Sequence, residues 1–249
     1  MRTMRASSEI ADEREVRERL ANLREMVEAR LDLLIPKEGV EPESIHRAIR
    51  WSLFAGGKRF RPLLLLVTGE AFGARTVQTI AEDESLEPHI RARVLSEVAR
   101  GAGTPFGMVA GQAHDLEAES RDVKDSELER IHHRKTGALI AASVRSGAII
   151  AGATERELEA LTSYGVALGL LFQITDDLLD VTATAEDLGK TPGKDARSRK
   201  ATYPALYGLD ATRTRAQATY DEARAALDSI ERPMPILRAI ARFILERRA

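Results

Sequence analysis

The chain has 249 residues, of which 43% are hydrophobic and 31% are charged, a balance typical of one large folded domain or two smaller ones. The formal net charge of -2 gives no general attraction to nucleic acid, so a nucleic-acid-binding protein is not indicated. The absence of cysteine excludes disulfides and thiolate ligands and favours a reducing, cytoplasmic location.

Helical periodicity dominates the chain from end to end. Residues 9–34 form a charged amphipathic pattern with valines and leucines along one side. Further helices are predicted at 43–54, 61–72, 88–100, 105–119, 125–151, 155–180, 202–208, 211–229 and 234–247. No run of alternating β-branched residues indicates a strand, so the predicted class is all-α, with a single domain over residues 1–249.

Targeting and membrane segments are not predicted. The N-terminus lacks the apolar core of a signal peptide, and its acidic residues argue against a transit peptide. The longest apolar candidate, residues 138–153, is interrupted by Arg145 and is shorter than the roughly 20 residues that cross a bilayer. We therefore expect no membrane span.

The stretch FQITDDLLDV, residues 172–181, places three aspartates in an apolar helix. Gln173, Asp176, Asp177 and Asp180 fall at i, i+3, i+4 and i+7, which is one stripe of a helix. Like charges at this spacing repel one another, and uncompensated they destabilise the helix or take up protons. The stripe therefore predicts a positively charged partner.

Three other stretches supply cations and polar groups, and each also has an ordinary surface interpretation. GGKRFRP, residues 56–62, puts Lys58, Arg59 and Arg61 at a helix start, where an anion is favoured. HHRKTGALI, residues 132–140, offers Lys135 and Thr136 before small residues that allow close helix packing. LGKTPGKDARSRKATYP, residues 188–204, reads either as a mobile basic lid or as a solvated loop.

Two further features are weak signals of a functional site. Asp115, one turn after Gln112 in GMVAGQAHDLEAE (107–119), is either a cavity carboxylate or a helix-surface residue. His132 and His133 are adjacent, so they point to different sides of a helix and cannot form a paired metal site by themselves. We expect both histidines at the surface or in a capping role.

Together these stretches indicate one kind of chemistry. Carboxylates at i and i+4 hold a hard divalent ion through oxygen, and Mg²⁺ usually shares such sites with phosphates and water. Lysine and arginine neutralise the remaining phosphate charge, and a diphosphate leaves only when that charge is stabilised. The set therefore favours the ionisation of an allylic diphosphate.

In their order, GGKRFRP, GMVAGQAHDLEAE, ERIHHRKTGALI, FQITDDLLDV and LGKTPGKDARSRKATYPAL resemble the trans-isoprenyl diphosphate synthases, and among these the bacterial farnesyl diphosphate synthases. The resemblance implies an isoprenoid-synthase-type helical bundle around a central cavity. It also implies a homodimer that joins isopentenyl diphosphate to an allylic diphosphate with Mg²⁺.

The resemblance also assigns roles to individual residues. Asp176 would be a direct Mg²⁺ ligand, with Asp177, Asp180 and Asp195 holding metal-bound waters or neighbouring ligands. The allylic diphosphate would be held by Lys135, Lys190 and Lys200, with Thr136 and Gln173 near the reacting carbons. The diphosphate of isopentenyl diphosphate would be bound by Gly57, Lys58 and Arg61. Asp176, Asp177 and Asp180 would face the cavity opposite Lys135 and Lys58.

The sequence departs from the family at one place. The family carries a first aspartate-rich motif, DDxxD, soon after the GGKRxRP helix, whereas here residues 67–75 run directly into residues 76–88. On the order of fifty residues, or two to three helices, are absent near 75–76. The acidic cluster Glu82, Asp83, Glu84 precedes Pro88 and has no apolar flanks, so it is no substitute.

Three functions therefore stay open at the level of sequence. The first is a short-chain all-trans prenyltransferase of the farnesyl or geranylgeranyl diphosphate synthase type. The second is a non-catalytic homologue that acts as a regulatory or structural subunit of a prenyl synthase. The third is a binding module for prenyl diphosphates without turnover.

Overall fold

The computed structural model describes residues 13–40, 43–54, 60–71, 86–118, 125–182 and 202–247. Within these ranges the chain forms eleven α-helices and one π-helical turn, and no strand, which confirms the all-α class. The helices are α1 Glu13–Leu34, α2 Glu43–Phe54, α3 Phe60–Ala71, α4 Pro88–Ala102, α5 Met108–Glu117, α6 Asp125–His132, α7 Ala138–Ile150, α8 Glu155–Thr182, α9 Tyr203–Tyr207, α10 Leu209–Asp228 and α11 Pro235–Glu246.

The helix predicted at 105–119 is shorter at its start than the sequence pattern indicated. Helix α5 begins at Met108, and Gly107 lies just before it in an extended conformation. A Cβ atom on Gly107 would lie 2.5 Å from the carbonyl oxygen of Arg100, near the end of α4. The close approach of the two helix ends therefore requires a turn, where the sequence pattern predicted helix.

Helix α8 is the centre of the core and carries the aspartate stripe at its C-terminal end. It packs against α7 on one side and α10 on another, and its buried residues include Leu161, Leu168 and Ile174. Tyr164 is fully buried, and its hydroxyl donates to the carbonyl oxygen of Leu237 at 2.8 Å, which ties α8 to α11. The helix that carries the candidate site is therefore fixed from several directions.

The start of α8 is defined by a reciprocal capping box. The backbone N–H and the hydroxyl of Thr154 donate to the carboxylate of Glu157 at 2.8 and 2.9 Å. The backbone N–H of Glu157 donates to the hydroxyl of Thr154 at 3.3 Å. This arrangement satisfies donors that a helix start leaves free, and it sets where the long helix begins.

Among the described residues, α8 is also the one helix long and apolar enough to cross a membrane. In its most apolar window, 56% of the residues are buried inside the fold. Length and composition alone do not distinguish a spanning helix from the core helix of a bundle. The sequence analysis did not single out α8 as such a candidate.

The core is built almost entirely from aliphatic side chains. Aromatic residues make up 4% of the chain, and the single tryptophan, Trp51, is 75% exposed on α2. The largest fully buried aromatic side chains in the described part are Tyr164 and Tyr203. Leucine and isoleucine from α3, α7, α8 and α11 fill most of the remaining space.

An ion pair between α4 and α7 gives a testable contribution to stability. The guanidinium of Arg145 donates to both carboxylate oxygens of Glu97 at 2.8 Å, and also to the hydroxyl of Thr162 at 2.5 Å. Both charged side chains are largely buried. The hydrogen bonds from Arg145 hold the pKa of Glu97 below its usual value.

We expect Glu97→Gln to lower the free energy of unfolding by about 2 kcal/mol at pH 7, because charge-assisted hydrogen bonds are lost beside a largely buried arginine. A carboxyl with a lowered folded-state pKa stabilises the fold above its unfolded pKa and loses that contribution as the pH falls. The difference between wild type and variant should therefore shrink as the pH falls below about 4. Chemical denaturation at pH 7 and at a pH below about 4 checks this, with Glu159→Gln at an exposed position as the control. An equal difference between wild type and variant at the two pH values would contradict the prediction.

Candidate active site

The residues KTG lie on a π-helical turn inserted into one continuous helix. The turn spans His133–Gly137 and connects α6 directly to α7, so residues 125–150 run without a break, close to the predicted 125–151. Turns of this kind occur often at functional sites, since the extra residue redirects the side chains that it carries. Here the turn carries Lys135 and Thr136.

Lys135 is paired with a carboxylate of α5. Its ammonium group donates to Asp115 at 2.6 Å, and both side chains are partly buried. Asp115 was predicted to be either a cavity carboxylate or a helix-surface residue. The structure shows a partly buried carboxylate that faces Lys135 and is not freely solvated. Lys135 therefore has its charge neutralised by Asp115. Its predicted position opposite the aspartate stripe stays a prediction.

Thr136 reaches the start of the aspartate stripe on α8. Its hydroxyl donates to the side-chain oxygen of Gln173 at 3.0 Å. The amide nitrogen of Gln173 lies 3.4 Å from an oxygen of Asp177, one turn further along α8. Two residues that the family resemblance placed near the reacting carbons are thus brought together, although they are 37 positions apart.

The aspartates of the stripe differ in their surroundings. Asp177 is 4% exposed, and its carboxylate accepts the backbone N–H of Tyr203 at 3.0 Å, at the start of α9. Asp176 is 59% exposed at its side chain, and Asp180 is half-buried. The buried carboxylate therefore anchors the chain at Tyr203, while the exposed one is accessible to a ligand.

Arg247, which sequence analysis did not single out, lies against Asp176. Its side chain is 5% exposed and stands 3.4 Å from a carboxylate oxygen of Asp176. It donates to the carbonyl oxygen of Phe172 and the hydroxyl of Thr175, both at 2.9 Å, and stacks over the ring of Phe172 at 4.4 Å. Burial lowers the pKa of Arg247, and the Asp176 carboxylate opposes that shift. Part of the predicted positive partner therefore comes from the end of α11.

The expectation for His132 was wrong. The two histidines do point to different sides, but His132 is 6% exposed and stacks on Tyr203 with ring centroids 5.6 Å apart, while His133 is exposed. Its Nε2 lies 3.8 Å from Asp177, which is longer than a hydrogen bond. Burial lowers the pKa of His132 to about 4, so this imidazole is neutral at pH 7.

Several predicted residues lie outside the described ranges: Gly57, Lys58, Lys190, Asp195 and Lys200. Arg61 is described, at the start of α3, where partial burial lowers its pKa from the usual value. The position of Lys58 relative to the aspartate stripe therefore stays a prediction. The same holds for the central cavity.

The described part of the aspartate stripe could provide Mg²⁺ with one direct carboxylate ligand, Asp176, but not with a complete set of protein ligands. Among the described residues, no group of three histidine, aspartate or glutamate side chains converges as a metal cluster. Mg²⁺, however, usually takes one or two protein carboxylates and completes its shell with water and substrate phosphates. Asp176 is exposed enough to be such a ligand, whereas Asp177 already accepts the N–H of Tyr203.

Known proteins resemble this chain over most of its length. A dimethylallyltranstransferase from Fischerella ambigua is 33% identical, with 92% of this chain and 82% of the relative aligned. A farnesyl diphosphate synthase from Geobacillus stearothermophilus is 35% identical over 68% of this chain and 76% of the relative. The crystal structure of a geranylgeranyl pyrophosphate synthetase from Pyrococcus horikoshii has a TM-score of 0.80 at 25% identity, covering 94% of this chain and 99% of the other.

Both sequence alignments contain positions for which this chain has no residue. The first spans 288 positions, yet 92% of 249 residues is about 229, which leaves about 59 positions unmatched. The second spans 228 positions, yet 68% of 249 is about 169, which again leaves about 59. The relatives therefore carry about sixty residues that this chain lacks. The predicted site of the omission, near 75–76, lies outside the described ranges.

The family profile of the polyprenyl synthetases matches residues 90–234, which is more than half of the chain. This match includes the π-helical turn with Lys135 and Thr136, and the whole of α8 with its aspartate stripe. Together with relatives that are more than 30% identical over most of their length, it establishes the family. The chain belongs to the polyprenyl synthetase family.

Proposed function

We propose that this chain is a short-chain all-trans prenyltransferase that condenses isopentenyl diphosphate with an allylic diphosphate. The observation that carries the proposal is the position of Thr136 and Lys135 between α5 and α8, beside Gln173 and the aspartates. This arrangement joins cation, hydroxyl and carboxylate at one place, as the departure of a diphosphate requires. The relatives named for this activity support it.

In the proposed reaction, the bond between C1 of the allylic substrate and its diphosphate oxygen breaks, and the electron pair leaves with the diphosphate. The double bond of isopentenyl diphosphate attacks the allylic cation, and the new cation loses a proton to the released diphosphate, which would act as the base. Lys135 would hold the departing diphosphate once Asp115 gives up part of its hold on the ammonium group. Thr136 and Gln173 would orient the allylic chain.

Mg²⁺ would be held by Asp176, with Asp180 and, as the resemblance implies, Asp195 holding metal-bound waters or neighbouring ligands. When bound, it would supply charge stabilisation for the departing diphosphate. Asp177 would support the site without binding the metal directly, since its carboxylate already accepts the backbone N–H of Tyr203. We also propose a cytoplasmic homodimer. Light scattering on the purified chain tests the dimer.

The deciding experiment measures chain elongation. Labelled isopentenyl diphosphate is incubated with dimethylallyl or geranyl diphosphate and Mg²⁺, and the prenyl products are separated by length. Formation of farnesyl or geranylgeranyl diphosphate is the expected result. Binding of a diphosphate without elongation would instead favour the regulatory or structural subunit, because about sixty residues of the relatives have no counterpart here.

Arg61→Ala should raise the KM for isopentenyl diphosphate about ten- to a hundredfold with little change in kcat, since one charge-assisted hydrogen bond to a phosphate is lost. The reason is that its charge would hold the substrate that does not ionise, so the interaction is the same before and during the reaction. Steady-state kinetics with each substrate varied checks this. Arg213→Ala, an exposed arginine paired with Asp210, is the control. A fall in kcat alone would contradict the assignment.

A further inference from the structure

Helices α5 and α8 both touch the main chain of the π-helical turn, and each does so through a glycine. A Cβ atom on Gly111 of α5 would lie 2.1 Å from the backbone nitrogen of Lys135 and 2.5 Å from its Cα. A Cβ atom on Gly169 of α8 would lie 2.5 Å from the Cα of Gly137. These contacts involve main-chain atoms, so no side-chain rotation could relieve the overlap that a methyl group would create.

In both contacts, the glycine lies one helical turn before the residue that accepts a hydrogen bond from Lys135 or Thr136. Asp115, which accepts from Lys135 at 2.6 Å, lies four residues after Gly111 on α5. Gln173, which accepts from Thr136 at 3.0 Å, lies four residues after Gly169 on α8. Residues four apart lie on one helix face, one turn from each other. Each glycine is therefore one turn away from the acceptor for a side chain of the π-helical turn.

We propose that Gly111 and Gly169 are positioning residues that hold Lys135 and Thr136 at the distance from α5 and α8 that diphosphate binding requires. This inference rests on the proposed function. A methyl group at either glycine would push the turn away from one helix and displace the ammonium group of Lys135 and the hydroxyl of Thr136 together, since the same turn carries both. The loss would fall on ligand binding, in addition to any loss of packing.

Other glycines in the same core provide matched controls. A Cβ atom on Gly165, also on α8, would lie 2.8 Å from the Cα of Ala141 on α7. Gly165 therefore also makes a close main-chain contact, but with α7 and not with the π-helical turn. Its substitution should disturb packing without moving Lys135 or Thr136. Within the turn itself, a Cβ atom on Gly137 would have its nearest contact at 3.8 Å, so an alanine there fits.

The test compares Gly111→Ala, Gly169→Ala and Gly165→Ala by calorimetric titration with methylenediphosphonate in the presence of Mg²⁺, alongside the free energy of unfolding. We expect the first two variants to weaken binding about tenfold or more, which corresponds to losing the charge-assisted hydrogen bond from the displaced Lys135 to the diphosphonate. Gly165→Ala should change the affinity by less than about twofold at a similar loss of stability. If Gly169→Ala does not fold, Gly111→Ala on the shorter helix α5 decides.

The outcomes separate this inference from the function on which it rests. Wild-type affinity in both Gly111→Ala and Gly169→Ala would overturn the positioning role while leaving the proposed function intact. Equal weakening in Gly165→Ala would also overturn it, because the effect would then be one of general packing. A wild-type protein that neither binds methylenediphosphonate nor elongates a prenyl chain would overturn the proposed function and the inference together.

Discussion

Asp176→Asn should lower kcat for chain elongation by about a hundred- to a thousandfold, the loss expected when several kcal/mol of charge stabilisation is removed from the transition state. The free energy of unfolding should hardly change, since the side chain is 59% exposed and its 3.4 Å contact with Arg247 is long for a charge-assisted hydrogen bond. In the proposed reaction, the contact between Asp176 and a bound metal would gain strength as the diphosphate leaves. The KM for isopentenyl diphosphate should therefore move far less than kcat.

Steady-state kinetics with geranyl diphosphate and Mg²⁺, together with chemical denaturation, measure both effects. Asp210→Asn, at an exposed position near the start of α10, serves as the control for the loss of one carboxylate. A variant in which only the KM for isopentenyl diphosphate rose would show that Asp176 does not act on the departing group.

Asp177→Ala, in contrast to Asp176→Asn, should act strongly on stability. It should lower the free energy of unfolding by about 3 kcal/mol, because a buried donor loses its acceptor and a small cavity is left. The donor is the backbone N–H of Tyr203, whose side chain is 2% exposed and packs against His132. Removing a buried carboxylate also removes the cost of keeping it out of water, which limits the loss.

Asp177→Asn separates these contributions. The asparagine keeps a carbonyl oxygen at the same place, so the N–H of Tyr203 retains an acceptor, and the loss should be about 1 kcal/mol. Far-ultraviolet circular dichroism during urea titration measures both variants. If Asp177→Ala proved as stable as wild type, the hydrogen bond to Tyr203 would not be what anchors α9 to α8.

The helices could be predicted from the sequence because their apolar residues recur at helical spacing. The predicted 155–180 became α8 at Glu155–Thr182, and the predicted 43–54 is α2 at Glu43–Phe54. The resemblance in five motifs was likewise sufficient for the family, which the profile match confirms. Local patterns were informative wherever one helix face met the core.

The pairing across helices could not be predicted in the same way. Asp115 and Lys135 are 20 positions apart, and Arg247 and Asp176 are 71 apart, with no periodic relation between them. The π-helical turn left no sign in the sequence, since one extra residue among small side chains does not disturb the hydrophobic pattern. The small residues after Thr136 were the signal of close packing that the sequence analysis used, and the i, i+4 glycines of α8, Gly165 and Gly169, are a second such signal.

His132 shows a second limit of sequence reasoning. Adjacent residues of a helix differ in direction by about 100°, so the prediction that the two histidines diverge was sound. Which of the two faces the core depends on α9, whose Tyr203 covers His132 from a position 71 residues further along the chain. The sequence contains no local sign of that contact.

The position of the single tryptophan determines which spectroscopic signals follow the unfolding of this protein. Trp51 is 75% exposed, so its indole is largely in water in the folded state and again after unfolding. Its emission would report events near α2 and remain almost silent when α8 and its neighbours separate. Coincidence of two probes is the usual test of a two-state transition, and here the second probe is the tyrosine signal, dominated in the core by Tyr164 and Tyr203.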